Sequence, residues 1–187
     1  MRTVTFSMTM SLDGFIVDPE GSIDWSAPDD EIFRSHIEEI RSVDVHLLGR
    51  RLYETMLYWE DPEVAHSFSE DEREWASLWN PLPKVVFSNT LAEVQGSARL
   101  AQGSIADEIQ RLRAEPGDGE IAIGGATLAA AAADADLIDE YRVRIYPVLL
   151  GGGIPFFARD EKKVDLELLE TRVFGSGVVY LRHRVRH

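Results

Sequence analysis

The sequence contains no cysteine. Disulfides, thiolate metal sites and cysteine nucleophiles are therefore excluded. So are the zinc nucleobase deaminases, whose signature requires a Pro-Cys-x-x-Cys pair, and no metal site is predicted. Long apolar runs are also missing. The opening M-R-T-V-T-F-S-M-T-M lacks the apolar centre of a signal peptide. The least polar long segment, around 121–137, is mostly Ala and Gly and carries Asp134 and Asp136, so it is too short and too polar to span a bilayer. A cytoplasmic, soluble protein without a membrane partner is the expectation. Basic residues are scarce: 19 Lys and Arg stand against 33 Asp and Glu, for a net charge of −14. A field of that sign disfavours nucleic acid, and an anionic ligand would have to meet a local basic patch.

What is present is enough for a core. The chain has 187 residues, 44% of them hydrophobic, and reads as one domain over 1–187. Its organising stretch is 121–128, I-A-I-G-G-A-T-L, a short apolar run into a Gly-Gly pair and then an Ala-rich helix. Gly124 and Gly125 lack a Cβ, so the backbone can turn sharply and a ligand can come close. The free N–H groups of the helix start would favour negative charge. A plain packing turn is the alternative, because a lone Gly-Gly is a weak motif.

Period-two alternation predicts a strand over 3–10, running into Ser11-Leu12-Asp13-Gly14. Asp29 or Asp30 can cap a helix to about residue 41, with His36 on its apolar face as a structural histidine. A strand over 43–48 runs directly into Gly49-Arg50-Arg51 and a helix to about residue 59. Arginine at a helix start gains nothing from the dipole, whereas a bound phosphate would account for it; a pair of solvated charges is the alternative. The acidic stretch 60–74 reads as a surface loop with a short helix. A strand over 84–87 ends in Ser88-Asn89-Thr90, suited to a ribose or phosphate contact and equally to an ordinary turn. Ser104 and Asp107 form a capping box for a helix to about 114. A strand over 137–148 leads into Gly151-Gly152-Gly153, and two final strands join through Phe174-Gly175-Ser176-Gly177. This order predicts an α/β fold, a mainly parallel sheet with an antiparallel C-terminal hairpin at its edge. Ligands in such sheets bind at the C-terminal strand ends, where 9–12, 49–51, 88–90 and 124–127 all fall.

These landmarks, S-L-D-G-F-I, L-G-R-R-L-Y-E, F-S-N-T, I-G-G-A-T-L and P-V-L-L-G-G-G-I-P-F-F in that order, resemble the dihydrofolate-reductase-like superfamily. They look most like the reductase domain of the riboflavin-biosynthesis deaminase-reductase. The resemblance implies a three-layer fold, NADPH as cofactor and a pyrimidine or pterin substrate. It implies that the chain is an oxidoreductase, of the 5-amino-6-(5-phosphoribosylamino)uracil reductase type or a stand-alone relative, and a homodimer. A dihydrofolate or pterin reductase and a non-catalytic NADP-binding protein are the alternatives. By position, Gly49, Arg50 and Arg51 would meet the 2′-phosphate and pyrophosphate side of NADPH. Ser88, Asn89 and Thr90 would lie along the adenosine 2′-phosphate. Gly124, Gly125, Ala126 and Thr127 would cradle the pyrophosphate and nicotinamide ribose, with Thr9 and Ile16 beside the nicotinamide. Trp25-x-x-Pro28-x-Asp30 is similar to the stretch that places the acid of folate reductases, which makes Asp30 the candidate catalytic carboxylate. Asp13, Trp25, Gly151 and Gly152 would border the substrate. A substrate phosphate would need Arg159, Lys162 or Lys163. Leu52 departs from the resemblance, standing where many folate reductases have Thr. The deaminase half has no counterpart in these residues.

Overall fold

The computed structural model describes residues 1–157 and 162–186. Alternation in the first segment gives β1 (Val4–Ser11), with Val4 and Phe6 buried on one face and Thr5 on the other. The Asp13-Gly14 turn leads to the short β2 (Phe15–Val17). A single 3-10 turn, Asp24–Ser26, precedes α1 (Asp30–Ile40). Asp29 is its N-cap, accepting from the Ile32 N–H at 2.8 Å; Asp30 is the first helical residue.

Next come β3 (Val43–Gly49) and α2 (Arg50–Met56). The helix predicted to run to residue 59 tightens into a 3-10 turn at Leu57–Glu60. The acidic stretch then holds two helices rather than one. α3 (Pro62–Ala65) is capped by Asp61, and α4 (Glu70–Trp79) by a Ser69–Glu72 capping box. β4 (Lys84–Phe87) and β5 (Ala98–Leu100) follow, then α5 (Ile105–Ala114) with the predicted Ser104–Asp107 box. β6 (Glu120–Gly124) runs into α6 (Ala126–Asp134).

β7 (Glu140–Tyr146) starts three residues later than the alternation predicts. The preceding residues close α6 instead. Asp136 takes a left-handed φ of 54°, its N–H bonds the Ala133 carbonyl, and the Leu137 N–H bonds that of Ala132. β8 (Ile154–Pro155) pairs with β2, and the hairpin is β9 (Leu166–Val173) with β10 (Val179–Val185).

The main sheet has eight strands in the order β5-β4-β3-β6-β1-β7-β10-β9. From β5 to β7 every neighbour is parallel, and β10 and β9 are antiparallel. Helices cover both faces, as in the three-layer fold predicted. Val45, Leu47 and Val85 pack in one cluster with Ile105 and Ile109 of α5 and Ala129 of α6. Leu48 and Val86 pack on the other face with Tyr53 of α2 and Trp79 of α4. Trp75 stacks on Trp79, and Phe33 of α1 meets Trp75 and Trp59, so α1 and α4 share an aromatic seam. His36 lies edge-on to Trp75 as a structural residue. Desolvation, with Arg144 nearby, pushes its pKa down to about 3.

Candidate functional site

The tips of β3, β4, β6 and β1 are brought to one edge by parallel pairing. At the β3 tip the chain enters α2 without a side-chain cap. Arg50 donates from Nη1 to Thr90 Oγ1 at 2.6 Å, tying the β3 and β4 tips together, and from Nε to Glu54 at 2.8 Å. Arg51 is exposed, and its guanidinium has no partner among the described residues. Ser88 Oγ accepts from the Thr90 and Leu91 N–H groups, closing a tight turn that leaves Asn89 at the surface. Residues 49–51 and 88–90, far apart in sequence, therefore form one basic, hydroxyl-bearing rim.

Gly124 and Gly125 differ in what they permit. A Cβ on Gly124 would collide with Leu52 Cδ2, so the residue that replaces the Thr of folate reductases packs on the backbone of this turn. Gly125 has φ of 103°, and a Cβ there would meet nothing within 4 Å. The turn thus presents open backbone, and Thr127 stands exposed beside it while Ala126 packs toward the core. Thr9 is half-buried on β1, in register with Arg144 of β7 and one strand from Gly124. Ile16 lies at the centre of β2. Its side chain is 8% exposed and sits in the core cluster with Phe6 and Phe156, against which Val17 also packs.

The second half of the edge lies at the tips of β1 and β7. Asp13 is a clamp between the loop after β1 and the Gly-rich loop. It accepts from Ser11 Oγ at 2.6 Å, from the Leu150 N–H and from the Gly151 N–H at 2.7 Å. The Ser11 hydroxyl foremost, with those two amides, holds its pKa below the usual carboxylate range. Its carboxylate is occupied by the fold, and it positions Gly151 and Gly152. Trp25 lies edge-on to Tyr146, ring centroids 5.9 Å apart. A cavity of about 280 Å³ opens beside them, lined also by Asp29 and Val178. Asp30 is exposed, and its carboxylate makes no hydrogen bond among the described residues. Its neighbour Asp29, and not Asp30, lines that cavity.

The lysines proposed for a substrate phosphate are not at this edge. Lys162 donates to the Asp134 carbonyl at 3.4 Å, and Lys163 pairs with Asp165, both near the start of β9 at the other end of the sheet. β8 pairs with β2 at the tip edge and β9 starts at the opposite end, which the sequence spacing does not reveal. Arg159 lies outside the described residues. Tyr146 escaped the sequence reading, although R-V-R-I-Y in β7 alternates and so turns Arg142, Arg144 and Tyr146 to one face.

Comparison with known proteins agrees with the fold. A sequence model of the RibD C-terminal domain matches residues 2–180. The Bacillus subtilis protein YyaP, itself uncharacterized, is 30% identical over 180 residues, 96% of this chain and 93% of its own length. A crystal structure from Shewanella sp. PV-4, described as a riboflavin biosynthesis protein, superposes with a TM-score of 0.79 at 27% identity, covering 100% of both chains. The Thermotoga maritima diaminohydroxyphosphoribosylaminopyrimidine deaminase/5-amino-6-(5-phosphoribosylamino)uracil reductase shares the fold, with a TM-score of 0.65 at 16% identity. There the match covers 99% of this chain and 57% of the larger enzyme.

Proposed function

The chain belongs to the RibD C-terminal domain family, and from that premise we propose that it is an NADPH-dependent reductase of a small pyrimidine- or pterin-class molecule. It would act as a 5-amino-6-(5-phosphoribosylamino)uracil reductase or as a stand-alone relative of one. The observation that carries this reading is the rim formed by Arg50 on Thr90, with Arg51, unpaired among the described residues, beside it and the open backbone of Gly125 one strand away from β3. Among the described residues no helix is long and apolar enough to cross a membrane.

These residues fit a dinucleotide phosphate. Arg51 would take the 2′-phosphate, and Arg50, already oriented by Thr90, would support it. Ser88 and Asn89 would lie along the adenosine side. Gly125, free of a Cβ, lets the backbone N–H groups at the start of α6 approach the pyrophosphate. When bound, the cofactor supplies the hydride. The chain's own part is to hold the substrate ring: Asp30 would accept its N–H groups, and Trp25 would shield it from water. β9, an edge strand with Leu168 56% and Val173 67% exposed, supports the homodimer as its interface.

Hydride transfer is the test. NADPH deuterated at the transferable position, incubated with the protein and an aminouracil ribosylamine, should yield a product carrying the label, seen by mass spectrometry. Bound NADPH with no label transferred would leave a nucleotide-binding protein and overturn the reductase reading.

A further inference from the structure

The C-terminal edge of the sheet carries two opposite fields. Arg50 and Arg51 stand at the β3 tip. Three segments gather at the β1 and β7 tips: 12–31, 147–156 and 174–178. Backbone bonds tie them together, from the Leu12 N–H to the Val148 carbonyl at 2.9 Å and from the Phe156 N–H to the Gly14 carbonyl at 2.8 Å. Glu31 accepts from the Gly175 N–H at 3.0 Å. From Leu12 to Glu31 the sequence has seven carboxylates and no Lys or Arg, and the other two segments carry no charged residue.

Among the described residues, the arginines that border this region are already paired with carboxylates. Arg172 meets Glu31 at 3.1 Å and Glu38 at 3.8 Å, and Arg34 meets Asp71 at 2.9 Å. Arg144 is buried against Glu39 at 2.8 Å. Within the region, Tyr146 is 8% exposed, lines the 280 Å³ cavity, and its Oη has no hydrogen-bond partner among the described residues. The Trp25 Nε1 is likewise unpartnered. One Asp29 oxygen is spent on the cap of α1, and the carboxylate also faces the cavity. A carbonyl or hydroxyl would complement the indole and phenol, and an N–H group the carboxylate.

The geometry points to a substrate that is uncharged or cationic, a ring bearing C=O and N–H groups, and not a phosphate ester. This rests on the reductase reading above and, of its two arms, selects the stand-alone relative over the phosphoribosylaminouracil reductase. A phosphate ester brings a charge of about −2, which here would face carboxylates and, among the described residues, arginines that already have acidic partners. In this the chain parts from the Thermotoga enzyme, whose substrate name contains a phosphoribosyl group.

NADPH binding is measured first by calorimetry, so that failure of the nucleotide reading is seen there by itself. The NADPH-loaded protein is then given 5-amino-6-ribosylaminouracil and its 5′-phosphate, and kcat/KM is compared. The unphosphorylated compound should be better by about tenfold or more, with the ratio shrinking as salt screens the acidic rim. Tyr146→Phe keeps the ring and removes the hydroxyl. It should raise KM for the unphosphorylated compound about threefold to tenfold with kcat unchanged. Preference for the phosphate ester, or no turnover of either compound with NADPH bound, overturns the inference. An unchanged KM in Tyr146→Phe removes the cavity from it.

Discussion

Lys84 shows how a charge is held at a position where the sequence predicts only the start of a strand. It is 1% exposed. Its Nζ donates to the Trp79 carbonyl at 2.8 Å, the Leu82 carbonyl at 3.1 Å and Ser97 Oγ at 3.0 Å, and lies 4.8 Å from the centroid of the Trp79 ring. Burial lowers its pKa, and Glu60 at 3.6 Å opposes that shift. The ammonium thus fastens the end of α4 to β4, which leads to the rim that Arg50 and Thr90 form. Lys84→Met keeps the length of the side chain and leaves those acceptors without a donor. A loss of about 2–4 kcal/mol is expected, read from urea denaturation; a loss below about 0.5 kcal/mol would contradict this role. Glu108, fully buried between Arg99 and the Gln102 N–H, is a second such case. Neither was legible in the sequence, because the burial of a charge depends on partners that only the fold assembles. Arg50 and Arg51 stand out in the sequence for the opposite reason: they break a local rule, arginine at a helix start, and the contact of Arg50 with Thr90 joins the β3 and β4 tips. Between Asp29 and Asp30 the sequence left the cap open, since either can accept from the first turn, and the chain entry chose Asp29.

At the scale of elements, the turn from β6 to α6 is the most specific feature. Gly125 needs its left-handed φ of 103° to send the chain from strand to helix, and the space above it is open. Gly125→Val would impose a branched residue on that conformation and place its methyl groups where a ligand would approach. NADPH affinity should fall by about a hundredfold, roughly 2.7 kcal/mol, with circular dichroism preserved. Affinity within threefold of the parent would contradict the cradle. This turn was legible because its chemistry is local. The pairing of β2 with β8 was not, since β8 has only two residues and no period to detect. Asp13 suffered from the same gap: its clamp on Leu150 and Gly151 depends on a loop more than a hundred residues away. The shortened α2 and the late start of β7 are end effects, set by a 3-10 turn and by the left-handed Asp136 cap.

For the whole molecule, the alternation of strands and helices was sufficient to predict a parallel sheet with a C-terminal hairpin. The insertion of β6 between β3 and β1 was not derivable from that alternation, since strand order follows from which helix crosses which face. That insertion matters most for function, because it sets the Gly124-Gly125 turn between the Arg50 rim and Thr9. It also separates a basic half of the edge from an acidic half on a chain of net charge −14. The most direct test of the account is therefore a calorimetric titration of the protein with NADPH and, separately, NADH, repeated with Arg51→Ala. NADPH should bind at least about tenfold tighter than NADH, a difference of roughly 1.4 kcal/mol, and the substitution should remove most of that difference. Equal affinity for the two nucleotides, or no binding of either, would contradict the assignment of this rim to the 2′-phosphate and the function proposed from it.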